Sequence, residues 1–392
     1  MKLTRVATRT ALGALAATAL GAAALPAASA RVDPHAAPVA VPGAPLPATA
    51  GLAAQPAAGQ PADLAGSESL GALAARQHLR VGTAVDTSAL AADLPYRAKV
   101  GTEFSTVTPE NVMKWQLVEP TRGQLDFAAA DGLVAFARAH GQLVRGHTLV
   151  WHNQLPTWLT DGVAGGSIGP AELRQILRAH ILAEAGHFRG KIWQWDVLNE
   201  AFNEDGTLRN TLWLQQLGPG YIADAFRWAR QADPHALLFY NDFNIEGGNA
   251  KSDAVFALVQ QLRRDGVPID GVGVQGHFGV QFGFPGDVPA NLGRFAALGL
   301  FTAVTEADVR MPLPADNIKV QAQAAGYSIL LQACLLTRRC LSVTVWGFTD
   351  KYSWVPGVFA GQGSATLFTE DLTAKPAYEA LRTDLRVANR GR

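Results

Sequence analysis

Two glutamates, Glu200 and Glu306, close apolar, β-branched runs, one after Trp195-Asp-Val-Leu-Asn and one after Phe301-Thr-Ala-Val-Thr. Paired carboxylates suit glycosidic hydrolysis. One acid protonates the leaving oxygen, and one carboxylate attacks the anomeric carbon. The chain also offers Glu110, Asn111, Lys114, Gln154, Asn199 and Gln275 as dense hydrogen-bonding groups, and nine tryptophans in 392 residues. Sugar rings present apolar C–H faces to indoles and hydroxyls to amides and charges. Other chemistries fit less well. Histidines and carboxylates could bind a metal, but no HExxH or HxH spacing supports one. No GxSxG elbow marks a serine nucleophile, and no glycine-rich phosphate loop follows a strand.

Singly, each of these residues has a plainer role. A glutamate at a strand end is more often a salt-bridge partner, a histidine a structural hydrogen-bonding group, and a tryptophan part of a core. Their joint placement carries the argument. Strand candidates lie at 81–86, 104–109, 143–151, 192–199, 237–244, 271–278, 301–308 and 341–349. Each is a short run of apolar, β-branched or aromatic residues. Segments with helical spacing lie between them at 129–139, 170–185, 221–232, 250–264, 292–298 and 318–336. Strand–helix alternation implies parallel strands, and eight strands at this length predict a closed (β/α)8 TIM barrel. Seven consecutive strand ends carry polar or aromatic groups. They run from Glu110 and Lys114 through His147, Trp151, Gln154, Glu200, Phe243, Gln275, His277, Glu306 and Asp308 to Trp346 and Trp354. Barrel enzymes build their sites at that face.

Composition narrows the class further. Lys and Arg total 33 against 33 Asp and Glu, so no basic excess exists to neutralise phosphates, and nucleic acid is excluded as a partner. At 48% apolar and 17% charged, the chain can bury a large core. Residues 1–30 read as a signal peptide: Lys2, Arg5 and Arg9, then the uncharged stretch from Ala11 to Leu25, then Ala28-Ser-Ala30. Fifteen mostly alanine residues are short for a membrane span of about 30 Å. Residues 31–66 hold twelve Ala, seven Pro and no aromatic, which cannot offset ordering entropy, so a disordered linker is expected. Residues 67–388 then form one catalytic domain. Export predicts a secreted protein, extracellular or periplasmic, with no stable membrane association after signal removal.

At this point a resemblance is visible. Thr108-Pro-Glu-Asn-Val-Met-Lys-Trp115, Gly146-His-Thr-Leu-Val-Trp-His152, Trp195-Asp-Val-Leu-Asn-Glu200, Asn241-Asp-Phe-Asn244, Gln275-Gly-His277, Thr305-Glu-Ala-Asp308 and Val345-Trp-Gly347 resemble the glycoside hydrolase family 10 endo-β-1,4-xylanases. The match spans the ordered domain, in order, on seven strand ends. It implies a retaining (β/α)8 barrel enzyme acting on xylan and xylo-oligosaccharides, without a cofactor and without a metal, and a monomer is expected.

The resemblance also implies roles. Glu200 matches the general acid/base and Glu306 the nucleophile, about 5–5.5 Å apart in a retaining pair. Burial or the nearby carboxylate should keep Glu200 protonated for the first step, while hydrogen bonds keep Glu306 ionised. His277 is placed to donate one, with Asp308 orienting it. Asn199 matches the residue that binds the sugar 2-hydroxyl. Glu110, Asn111, Lys114, His147 and Gln154 match glycone-binding residues, and Trp151, Trp346 and Trp354 the aromatic walls. Gln275 is a further substrate-binding candidate.

This chain departs from the family pattern at three positions. Phe243 stands where Tyr is usual, which keeps ring stacking on an aglycone sugar and drops a hydroxyl. Gly276 replaces a common Ser. Ala307 replaces a larger apolar residue, which is expected to loosen packing near the nucleophile. Cys334 and Cys340 precede strand eight. In an exported chain they are expected to pair, and the resemblance implies a bridge there. Two alternatives stay open: a retaining β-1,4-glucanase, and a non-catalytic polysaccharide-binding barrel, against which the presence of both glutamates speaks.

Overall fold

The computed structural model describes residues 68–388. The signal peptide and linker expected at the N-terminus lie outside them. Eight parallel strands follow the chain order: β1 (Arg80–Val85), β2 (Thr106–Pro109), β3 (Leu143–Val150), β4 (Gln194–Asn199), β5 (Leu237–Asp242), β6 (Gly271–Val274), β7 (Phe301–Pro312) and β8 (Cys340–Val345). Each pairs with its neighbours in parallel, and β8 pairs with both β7 and β1, so the sheet closes. This is the TIM barrel that the strand–helix alternation predicts. No edge is left unpaired in it.

The helices form where spacing and caps dictate. In the helix Pro170–His187, Leu173, Leu177, Ile181 and Ala185 recur every four residues and are buried. Asn249 caps Ala250–Arg264 by accepting from Ser252 N at 2.8 Å, and Asp316 caps Asn317–Leu336 by accepting from Lys319 N at 2.9 Å. The structure adds helices outside the segments expected from spacing, among them Leu94–Glu103 and Pro376–Val387; the latter buries Ala377, Tyr378, Leu381 and Leu385 on one face. The first buries only Tyr96, Val100 and Glu103. Its Glu103 accepts from Leu70 N at 2.7 Å and Tyr378 Oη at 2.9 Å, tying both ends of the domain together.

The expected ends shift by a few residues in most strands, β8 stopping at Val345 rather than 349, and two strands differ in kind. Candidate strand six breaks at Gln275-Gly276. Gly276 has φ +81°, and its N–H donates to the buried Glu246 at 2.7 Å instead of continuing the ladder. A short parallel piece, His277–Gly279, resumes against the extension of β7. β7 itself runs on to Pro312, where Gln362–Gly363 pairs with it antiparallel. Glycine therefore suits position 276, because any side chain there would be both left-handed and in contact with Leu330 and Val304. A Cβ at Gly276 would stand 3.6 Å from the Cα of Ala307, so the two small departures adjoin, and Ala307 is fully buried.

Cys334 and Cys340 are bonded, joining the end of helix Asn317–Leu336 to the first residue of β8. No helix among the described residues is long and apolar enough to cross a membrane.

Candidate active site

The two glutamates leave the barrel at β4 and within β7. Glu200 follows β4 directly with φ +58°, a left-handed conformation that few residues adopt without support. Its backbone is held from both sides: N donates to Asn241 O at 2.9 Å, and O accepts from Arg209 Nε at 3.0 Å. Its carboxylate accepts from Trp151 Nε1 at 2.9 Å on one oxygen and from Gln275 Nε2 at 3.1 Å on the other.

Glu306 is buried and ringed by donors. Asn241 Nδ2 lies 2.7 Å from Oε1, and His277 Nε2 lies 3.3 Å from Oε2. His147 Nδ1 is 3.9 Å from Oε1. Burial alone would raise its pKa, but the charges of His147, His277 and Arg145 and the bond from His277 overcome it and bring the carboxyl down to about 2. His277 lies between two carboxylates, with Nδ1 2.9 Å from Asp308. Burial disfavours its charge, yet Asp308 and Glu306 raise it to about 10, so it is an imidazolium donating in both directions. Asp308 also accepts from Trp354 Nε1 at 2.7 Å, which joins that indole to the groups that hold Glu306.

An amide relay joins the glutamates. Thr305 Oγ1 donates to Asn241 Oδ1 at 2.6 Å, which fixes the amide so that Nδ2 serves both Glu306 and Asn199 Oδ1, the latter at 2.9 Å. Gln275 Nε2 lies 3.3 Å from the same Asn199 oxygen and 3.1 Å from Glu200. Glu200, Gln275, Asn199, Asn241 and Glu306 thus form one connected row across the mouth.

On one side of this row lie Lys114, Asn111, Gln154, Trp151 and Glu110. Lys114 Nζ donates to Asn111 at 2.9 Å and Gln154 at 2.7 Å, and sits 5.3 Å from the Trp151 ring. Burial lowers its pKa, while the charges of Glu306, Glu110 and Glu200 oppose that shift, so the ammonium feels both Glu200 and Glu306. Burial, helped by Asp86, lifts Glu110 to about 7 against the opposing pull of Lys114. His147 is buried and bonds Asp196 at 2.9 Å; Trp346 stands over it at 5.1 Å. On another side Phe243 packs against Lys251, whose Nζ is 3.5 Å from the ring centroid and 2.9 Å from Asp242.

Sequence reasoning passed over Asn241, Arg145 and Asp196 as site residues. Arg145 lies beside Asp196 at 3.5 Å, 2% exposed, in the middle of an apolar strand. A charge in that setting is the signal that could have found it. His147, Asp196 and Glu306 form the one group of possible metal ligands among the described residues. Its imidazole nitrogen is already spent on hydrogen bonding to Asp196, and the Arg145 guanidinium adds positive charge. That donor set suits a shared proton more than a cation.

The family described as glycosyl hydrolase family 10 matches residues 69–384. The chain belongs to glycosyl hydrolase family 10. As a family 10 protein it is similar to an endo-1,4-beta-xylanase of Agaricus bisporus, 45% identical over 76% of this chain and 89% of the relative. Among solved structures, native xylanase 10B from Thermotoga maritima superposes with TM-score 0.78 at 41% identity, covering 81% of this chain and 98% of that one. Xylanase 10B from Thermotoga petrophila, solved in complex with xylobiose, matches with the same TM-score and identity, over 81% and 97%. In this family 10 barrel the two glutamates are connected through Gln275, Asn199 and Asn241 across the C-terminal mouth.

Proposed function

We propose that the protein is a secreted endo-1,4-β-xylanase that cleaves internal β-1,4-xylosidic bonds by double displacement with retention. The row from Glu200 to Glu306 carries this reading. It supplies one carboxylate held ionised by cations and amide donors, and a second carboxyl linked to it across the mouth. The named relatives, and the xylobiose in the Thermotoga petrophila enzyme, support xylan as the substrate class.

In the first step Glu306 attacks the anomeric carbon and Glu200 gives its proton to the departing oxygen. The carbon–oxygen bond to the aglycone breaks, and a glycosyl ester forms on Glu306. In the second step Glu200, now a carboxylate, takes a proton from water. That water attacks the anomeric carbon, and Glu306 leaves. Asn199, oriented by Asn241 and Gln275, meets the sugar 2-hydroxyl, a contact that strengthens in the transition state. Glu110, Asn111, Lys114, His147 and Gln154 hold the glycone with Trp151, Trp346 and Trp354 as walls. Phe243 stacks an aglycone sugar. A wall at Trp346 or Trp354 that crowds the C6 position favours xylose over glucose.

Proton NMR of the product anomers during xylohexaose hydrolysis tests the reading. Prompt β-anomer is expected. Prompt α-anomer would overturn the Glu306 nucleophile, and stronger activity on carboxymethyl-cellulose than on xylan would move the assignment to a glucanase.

A further inference from the structure

Past Trp354 the mouth continues into an apolar rim. Three segments that leave the C-terminal ends of β6, β7 and β8 meet there, held together by the short pairings of His277–Gly279 and Gln362–Gly363 with β7. On them stand Phe282, Leu313 and Val358, exposed by 61%, 49% and 62%. Leu313 and Pro356 approach the same point above Gly363, at 3.2 and 3.7 Å. Phe282 and Gln281 likewise close over Gly279, where an added Cβ would meet them at 3.1 and 3.0 Å. Gln281 Nε2 donates to Gln362 Oε1 at 2.9 Å, which clasps the two outer loops. Phe284 anchors the Phe282 loop below by packing its ring, tilted, against Phe278 at 5.3 Å.

This rim is continuous with the reacting centre. Phe359 meets Trp354 edge-on at 5.5 Å, and the Arg310 guanidinium lies 4.1 Å from the Phe359 ring and 6.0 Å from the Phe282 ring. Trp354 bonds Asp308, which holds His277 against Glu306. Arg310 Nε is buried without a hydrogen-bond partner, and Nη1 donates to Phe278 O at 3.3 Å. An exposed phenyl face beside an amide pair and a guanidinium has the chemistry a sugar ring needs: an apolar surface for C–H groups and polar groups for the hydroxyls around it. An exposed apolar patch of this kind marks a binding surface.

We propose that Phe282, with the Gln281–Gln362 clasp and Arg310, forms a distal platform that stacks a backbone xylose unit of the polymer as it leaves the cleft past Trp354. The proposal rests on the xylanase reading and extends it outward by a sugar-binding position. The pairing of the three segments makes the platform rigid before the chain arrives, so little ordering entropy opposes binding.

The test compares the wild type with Phe282→Ala and Phe282→Trp. Affinity electrophoresis in soluble xylan reads binding without turnover, and kinetics on xylan and on an aryl β-xylobioside read the cleft. Phe282→Ala is expected to weaken retardation by xylan and raise KM for xylan by about three- to tenfold, the loss of one aromatic stacking contact. kcat on the aryl xylobioside, which ends short of the rim, is expected to match the wild type, and Phe282→Trp to restore the retardation. Equal retardation and equal xylan KM for Phe282→Ala and the wild type would overturn the platform. So would a fall from dimer to monomer in sedimentation without a change in xylan binding, which would make the rim a contact between copies. A wild type that is retarded by xylan but cleaves neither substrate would overturn the hydrolase reading while Phe282→Ala still decides the platform.

Discussion

Asn241 donates to Glu306 over 2.7 Å from an amide whose oxygen is held by Thr305. The same Nδ2 reaches Asn199 at 2.9 Å, so one amide sets the position of both Glu306 and Asn199. Asn241→Ala is expected to lower kcat/KM on xylo-oligosaccharides by about ten- to a hundredfold, the worth of a hydrogen bond to a charged group. Steady-state kinetics beside a thermal melt check it. A loss below threefold with an intact melt would remove Asn241 from the machinery.

Glu306→Ala is expected to abolish xylan hydrolysis while leaving the fold intact. Glu200→Ala is expected to hurt substrates with poor leaving groups far more than activated aryl glycosides, because only the former need protonation. Turnover of both substrate types by both variants checks the assignments. Equal losses for Glu200→Ala on the two types would count against its acid role.

The cationic His277 makes stability depend on pH in a stated direction. Its pKa rises from the usual 6.5 to about 10 on folding, so its contribution is complete below about pH 6.5 and fades as pH climbs toward 10. Glu306 moves the other way, from 4.5 to about 2, so its contribution is complete above pH 4.5 and fades as pH falls toward 2. Melting temperatures of the wild type and His277→Gln should differ most between pH 4.5 and 6.5 and converge at alkaline pH. A difference that grows with alkalinity would contradict the ion-pair account.

Glu184, fully buried on the helix Pro170–His187, has no hydrogen-bond partner on either carboxylate oxygen; His180 Nε2 lies 3.3 Å away. Burial pushes its pKa well above 4.5, and burial also takes His180 down to about 3. The folded state therefore holds the Glu184 proton, and the carboxyl costs stability increasingly as pH rises above about 4.5. Glu184→Val is expected to stabilise the protein by about 1–3 kcal/mol near neutral pH and less in acid, since it removes an unpaired buried polar group. Chemical denaturation at pH 4 and pH 7 measures both. A destabilised variant at pH 7 would show that Glu184 supports the fold.

The bridge between Cys334 and Cys340 closes a loop with five residues between its ends, so loop-closure entropy limits its contribution to about 2–3 kcal/mol. Reduction with confirmed free thiols is expected to lower the melting temperature by a few degrees. An unchanged melt would reject a stabilising role.

The barrel and the placement of Glu200 and Glu306 at its C-terminal mouth were legible in the sequence because both depend on local pattern. Strand runs alternate with amphipathic helices, and polar groups gather where those runs end. Pairing order followed from parallel alternation alone. The helix Leu94–Glu103 was not legible because it turns few apolar residues inward, and the break at Gly276 was not, because a glycine in an apolar run looks like strand until its backbone dihedral is known.

What only the tertiary structure decided is which strand-end side chains touch. Strict two-residue alternation from Gln194 and Asp196 would turn Asn199 away from the lumen. The pairing of β4 with β5 shifts register between Asp196 and Leu198, and Asn199 comes round to meet Asn241. β7 shifts register twice before Ala307, beside Glu306. Glu200 takes a left-handed backbone that no spacing rule foretells. The types of group that could do the chemistry are a local property of the chain. Their meeting within hydrogen-bond reach belongs to contacts between residues 29 to 76 positions apart, set by the closure of the barrel and the irregularities at its rim.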